Sequence, residues 1–217
     1  MGLVATILLL DGVNFELRDA MRSAIDQKKL RLDARLIKEL YAACPPRLKP
    51  RFAFAAAVSR LPPRDFNPLF MDAYRREMTA EQRFDLAGRL DYFLRQNPEE
   101  TPKYRPLILQ LLRSPEPDLC TAGLVSAGLL DELEPSDLRF IERKLSARYA
   151  DHRMNAVNAL ARLVGRRDRL APEVRAFCAS KPVLTRLRWM RTHDRNEYVR
   201  ECARVFFRVA AARPPAR

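Results

Sequence analysis

The sequence is poor in what a β-fold, a metal site or an oxidised secreted module would need. Six glycines in 217 residues, with Asp11-Gly12 the only hairpin-type dipeptide, leave strand reversals without their usual residue. Two histidines, His152 and His193, and no CxxC pair exclude the common zinc-ligand spacings. Cys44, Cys120, Cys178 and Cys202 are too few and too widely spaced for a disulfide framework, so they are expected reduced, mostly buried, in a cytoplasmic protein. There is no GxGxxG or GxxxxGK[ST] phosphate loop and no GxSxG elbow. The expectation is therefore no catalytic residue, no metal and no cofactor: the chain does not read as an enzyme. Long apolar runs are missing too. LVATILLL at residues 3–10 is far shorter than the roughly 20 residues that cross a bilayer. It also lacks the basic flank of a secretory signal and reads as a first helix or strand at the end of the core.

The most informative scarcity is of acids, and it is local. Residues 1–134 hold 20 Lys/Arg and 19 Asp/Glu, whereas residues 135–217 hold 20 and 8. Nearly all of the net charge of +13 therefore lies beyond position 134, and such a field draws anionic partners. Arg outnumbers Lys 33 to 7. A GC-rich genome would favour Arg over Lys, but that leaves the missing acids unexplained.

What is plentiful is proline, 16 in all, and it falls between segments of helical periodicity, where a helix start tolerates it. Helices are expected from Asn14, from Asp33, from Pro50 and from Asn67-Pro68. Another should start at Thr79-x-x-Gln82, which has capping-box form, and keep Phe84, Ala87, Leu90 and Leu94 together. Pro102 or Pro106 should open a short apolar helix, and Asp118, Ser136, Asp151 and Asp194 look like caps of the later ones. Period-two alternation is nearly absent, so the fold class is all-α. The chain reads as one domain over 1–212, near-neutral over 1–134 and strongly basic over 135–212, with a frayed tail at 213–217.

Three segments are alike: DLCTAGLVSAGLL from Asp118, DHRMNAVNALARLV from Asp151 and DRNEYVRECARVFF from Asp194. Each has a leading Asp and small residues mid-helix, and each is separated from the next by further helices. This pattern resembles HEAT or armadillo repeats over about 118–212, with Asp-x-x-x-x-Val-Arg at 194–200 the best local match. The resemblance implies stacked antiparallel helix pairs, a HEAT-like α-solenoid. An irregular helical bundle is the alternative.

The basic half supplies the candidate binding residues. Arg200, Arg204 and Arg208 form an i, i+4, i+8 stripe, with Glu197 and Glu201 on the same face as candidate salt-bridge partners. Arg139 with Arg143 and Lys144 with Arg148 form i, i+4 pairs. Arg162, Arg166 and Arg167 crowd one helix end, and Arg186, Arg188 and Arg191 flank Trp189, itself read as core or edge packing. In a stack, such stripes would merge into one basic surface. The first reading is a non-enzymatic scaffold or adaptor that binds a partner protein, one with an acidic face, along one side of the array. The alternative is a nucleic-acid-binding module that holds DNA or RNA through phosphate contacts. Peripheral membrane association ranks third. The HEAT-like DNA glycosylases use aromatic, Asp and Arg residues similar in type to those around Trp189, but this stretch does not align to their pattern.

Overall fold

The computed structural model describes residues 34–43, 62–75 and 80–212. The apolar run at 3–10, the helices expected from Asn14 and Pro50, Asp33, Cys44, Thr79 and the tail at 213–217 lie outside the described residues. Among the described residues there is no strand. The helices are α1 (Ala34–Ala43), α2 (Pro63–Tyr74), α3 (Ala80–Gln96), α4 (Thr101–Leu112), α5 (Pro117–Ala127), α6 (Pro135–Lys144), α7 (Ala150–Gly165), α8 (Pro172–Cys178), α9 (Lys181–His193) and α10 (Glu197–Ala211). No described helix is long and apolar enough to cross a membrane.

Proline sets most of the helix starts, but one step earlier than the acidic residues suggest. Pro63, Pro102, Pro117, Pro135, Pro172 and Pro182 all occupy a first or second helical position. There the missing N–H is no loss and φ is already helical. Asp118 consequently sits inside a first turn, and Asp151 does so too although α7 starts without proline; there a carboxylate still favours the positive helix end. The capping positions go to Glu116, Glu134 and Tyr149, none of which makes a side-chain cap bond. The cap expected at Asp194 is likewise displaced: Asn196 caps α10, its side-chain oxygen accepting from the Val199 amide at 3.2 Å. Pro68 and Pro106 lie within α2 and α4 rather than opening them.

The chain forms two compact units, Met1–Asn97 and Pro98–Arg217. The charge divide near residue 134 therefore falls inside the second. In the first unit α1 packs on α2 and α2 on α3. Phe66 stacks on Phe93 at 3.9 Å between ring centroids, and Leu86, Ala87, Leu90 and Leu94 are buried along α3. The Tyr41 hydroxyl contacts both Leu69 O (3.2 Å) and Asp72 Oδ2 (2.7 Å), fixing α1 against α2.

In the second unit α4 packs on α5, α5 on α7, and α7 on α10, while α9 packs on α10. The three helices that carry the similar segments, α5, α7 and α10, are thus laid one on the next. Small residues let them approach. A Cβ on Gly123 of α5 would stand 2.1 Å from the Leu112 nitrogen of α4, and one on Gly128 would stand 3.0 Å from Ala159 O of α7. The buried side of α7 is built from Ala156, Ala159, Leu160 and Leu163, alongside Val199, Ala203 and Phe206 on α10. Arg113, at the end of α4, donates from Nε and Nη2 to Oδ1 of the fully buried Asp137 on α6.

Candidate interaction surface

The thirteen cations expected to form a basic surface divide by what they touch. Five donate to backbone carbonyls inside the unit. Arg162 reaches Val125 O at 2.7 Å. Arg166 reaches Gly128 O at 3.3 Å and Asp131. Arg167 reaches Ala212 O at 3.3 Å. Arg186 reaches Leu145 O through both Nε and Nη2 at 3.3 Å. Arg200 reaches Asp194 O at 2.7 Å. Gly128, Leu145, Asp194 and Ala212 are the C-caps of α5, α6, α9 and α10, and Val125 lies in the last turn of α5. The final carbonyls of a helix lack intrahelical donors and carry the negative end of its dipole, so a guanidinium satisfies both. This explains how the basic half folds with so few acids: peptide carbonyls take the place of carboxylates.

The α10 stripe is neutralised in part as well. Arg204 and Arg208 both pair with Glu201, as the shared face allowed. The Arg204 hydrogen bond, aided by the charges of Arg208 and Arg204, holds the Glu201 carboxyl below its usual range. Arg143 and Lys144 lie over the Phe140 ring at 5.6 and 4.9 Å, and Arg191 lies over Phe207 at 5.2 Å. Arg139, Arg148 and Arg188 are exposed, with no ion pair among the described residues.

One arginine outside the expected set is the most committed. Arg153 is bound through Nε and Nη2 to the two oxygens of Asp194, each at 2.8 Å, and through Nη1 to Ala147 O and Arg148 O at 2.9 Å. Burial alone would raise the Asp194 carboxyl. The Arg153 bonds, the Asn196 amide and the charges of Arg153 and Arg186 outweigh it and hold the group below its ordinary value. The partners come from distant parts of the sequence, and no local pattern marks them.

The two histidines part company. His152 is buried and bonds through Nε2 to Pro117 O at 3.0 Å, so that nitrogen bears the proton because a carbonyl can only accept. His193 is exposed and lies nearly parallel to Trp189, 5.7 Å between centroids and 15° between planes. Trp189 is not core either: it is 43% exposed, because Val183, Leu187 and Met190 take the buried side of α9. The Arg186 guanidinium sits 4.4 Å from the Trp189 ring centroid. Arg186, Trp189 and His193 thus form one continuous ridge, at i−3, i and i+4. The helix phase was the available signal for it: at about 100° per residue, position 189 is rotated off the 183/187/190 line. Four cations and no acid lie on α9.

No group of three or more His, Cys, Asp or Glu side chains that could hold a metal occurs among the described residues. Burial pushes the Cys178 thiol up to about 12 and also raises Cys120 and Cys202, the wrong direction for a nucleophile at neutral pH. No protein-family model and no curated protein matches this sequence.

Proposed function

We propose that this chain is a non-enzymatic helical-repeat scaffold of HEAT-like type that binds a partner protein carrying an acidic face. The successive packing of α5, α7 and α10 supports the stacked-pair reading. Their similar segments are those that resemble such repeats.

The observation that carries the binding reading is the placement of the cations the fold does not consume. Arg139, Arg143 and Lys144 share α6 with Phe140, Arg148 follows that helix, and Arg188 and Arg191 share α9 with Trp189; α9 offers no internal carboxylate to compete with a ligand. Aromatic residues with arginine are the composition of protein-interface anchors. A phosphate backbone would instead call for a dense run of available cations. The α10 stripe expected to provide it is tied to Glu201 and to Asp194 O.

The test is fluorescence anisotropy at low and moderate salt with labelled acidic peptides, single-stranded DNA, duplex DNA and RNA. The expected result is peptide binding that weakens with salt and with Arg139→Gln/Arg188→Gln. Nucleic-acid binding that outcompetes every peptide would transfer the proposal to the phosphate-contact reading.

A further inference from the structure

Resting on that reading, we infer that the Arg186–Trp189–His193 ridge of α9 is the anchor for an acidic segment of the partner protein. Trp189 receives an apolar side chain of that segment, and Arg186 and Arg188 receive carboxylates on either side of it.

Exposure is the first reason. Trp189 is the only tryptophan in the chain, and Val183, Leu187 and Met190 bury the opposite side of α9 without it. A large aromatic left in solvent on a rigid helix supplies contact area at small entropic cost. Preorganisation is the second. Arg186 is held by its two bonds to Leu145 O and by its position over the indole, while its Nη1 makes no hydrogen bond among the described residues. A guanidinium fixed in this way gives a carboxylate a ready donor, whereas a free arginine would first have to be ordered.

Charge is the third. Lys181, Arg186, Arg188 and Arg191 are the only charged side chains of α9 apart from His193, and the adjacent carboxylate, Asp194, is buried and already bound by Arg153. An acidic ligand therefore meets complementary charge with no displaced ion pair. A nucleobase is served less well, because stacking needs a whole ring face and Arg186 and His193 already lie against the Trp189 ring, whereas an apolar side chain needs only the part of Trp189 that is left exposed.

The lone tryptophan makes the ridge its own reporter. Full-length protein would be titrated with short glutamate-rich peptides carrying a central Leu, Phe or Ala, and with a Gln-for-Glu control. Labelled-peptide anisotropy and Trp189 emission would be read in parallel. The inference expects a saturable change in Trp189 emission with the Leu and Phe peptides, weaker with Ala and absent with Gln. Trp189→Ala should weaken binding by about tenfold or more, as interface anchors do. Trp189→Phe should recover part of it, and Arg64→Gln, an exposed cation of the first unit outside the basic surface, should change it by less than about threefold. Unaltered helical circular dichroism in Trp189→Ala would confirm that folding is intact.

Peptide binding that leaves Trp189 emission and the Trp189→Ala affinity unchanged would overturn the anchor while the adaptor reading stands. No binding of any acidic peptide at low salt would overturn both. An oligonucleotide that displaces the peptide and quenches Trp189 more strongly would replace the protein partner with nucleic acid.

Discussion

Arg153 and Asp194 face each other as a two-pronged pair, Nε and Nη2 on the two carboxylate oxygens, with side chains only 13% and 2% exposed. The contact joins the start of α7 to the junction of α9 and α10. A third nitrogen of the same guanidinium closes the loop before α7 by binding Ala147 O and Arg148 O. Four segments therefore depend on one side chain.

Asp194→Ala should destabilise the fold by about 3 kcal/mol, the lower end for breaking a buried pair, because Arg153 keeps its two carbonyl partners. The pH dependence follows from the lowered Asp194 pKa. A carboxyl held below its ordinary value of 3.8 contributes fully above that value and loses its contribution as pH falls through the folded pKa. Urea melts of wild type and Asp194→Asn from pH 7 to pH 2.5 should show a constant gap down to about pH 4 that then narrows. A gap that stays constant to pH 2.5 would contradict the pairing.

Glycine substitutions should split by position. Gly123→Ala places a methyl group 2.1 Å from the Leu112 nitrogen and 2.4 Å from its Cα, both backbone atoms that cannot swing away. A loss of about 3 kcal/mol is expected as α4 and α5 are forced apart. Gly88→Ala, on an exposed position of α3 with nothing within 4 Å, should gain about 0.5–1 kcal/mol from helix propensity. Thermal melts of the two variants would show shifts of opposite sign.

Thiol reactivity should follow burial. Cys178, with its thiol pushed up to about 12, and Cys120, also raised, should resist iodoacetamide at pH 8 in the native state and react on unfolding. Cys202, only half-buried, should be modified ahead of both. Peptide mapping by mass spectrometry at timed intervals gives the order.

Arg200→Ala should cost about 1.5 kcal/mol through loss of the charged bond to Asp194 O. The loss should be the same at pH 4 and pH 8, since a carbonyl acceptor does not titrate. That behaviour separates the C-cap arginines from the carboxylate-paired Arg153 in a single pH series.

The helical class was legible because it rests on local chemistry. Proline at a helix start leaves its mark within one turn, and the buried spacing of Leu86, Leu90 and Phe93 is a property of one segment. The precise starts were less legible because N1 proline fixes φ by itself. It removed the need for the cap expected of Asp118. The candidate surface was legible as charge but not as availability. Nothing local distinguishes Arg186, bound to the carbonyl of Leu145 at the end of α6, from Arg188, which is left in solvent. Trp189 shows the same limit from the other side, since its composition suggested core and only its phase against Met190 places it outside.

Docking arginines onto helix ends has a further consequence for how the molecule meets other molecules. A peptide carbonyl occupies a guanidinium's hydrogen bonds, but the end of a helix carries only about half an elementary charge of opposite sign. About half of each such positive charge is therefore left to act at a distance, even where the groups bearing it have no hands free. Attraction and retention become separate properties of this surface. On the proposed reading, the whole basic half would speed the arrival of an acidic partner, in a manner that salt suppresses over a Debye length of about 8 Å. How long such a partner stayed would be set by the few side chains on α6 and α9 that still have a bond to give.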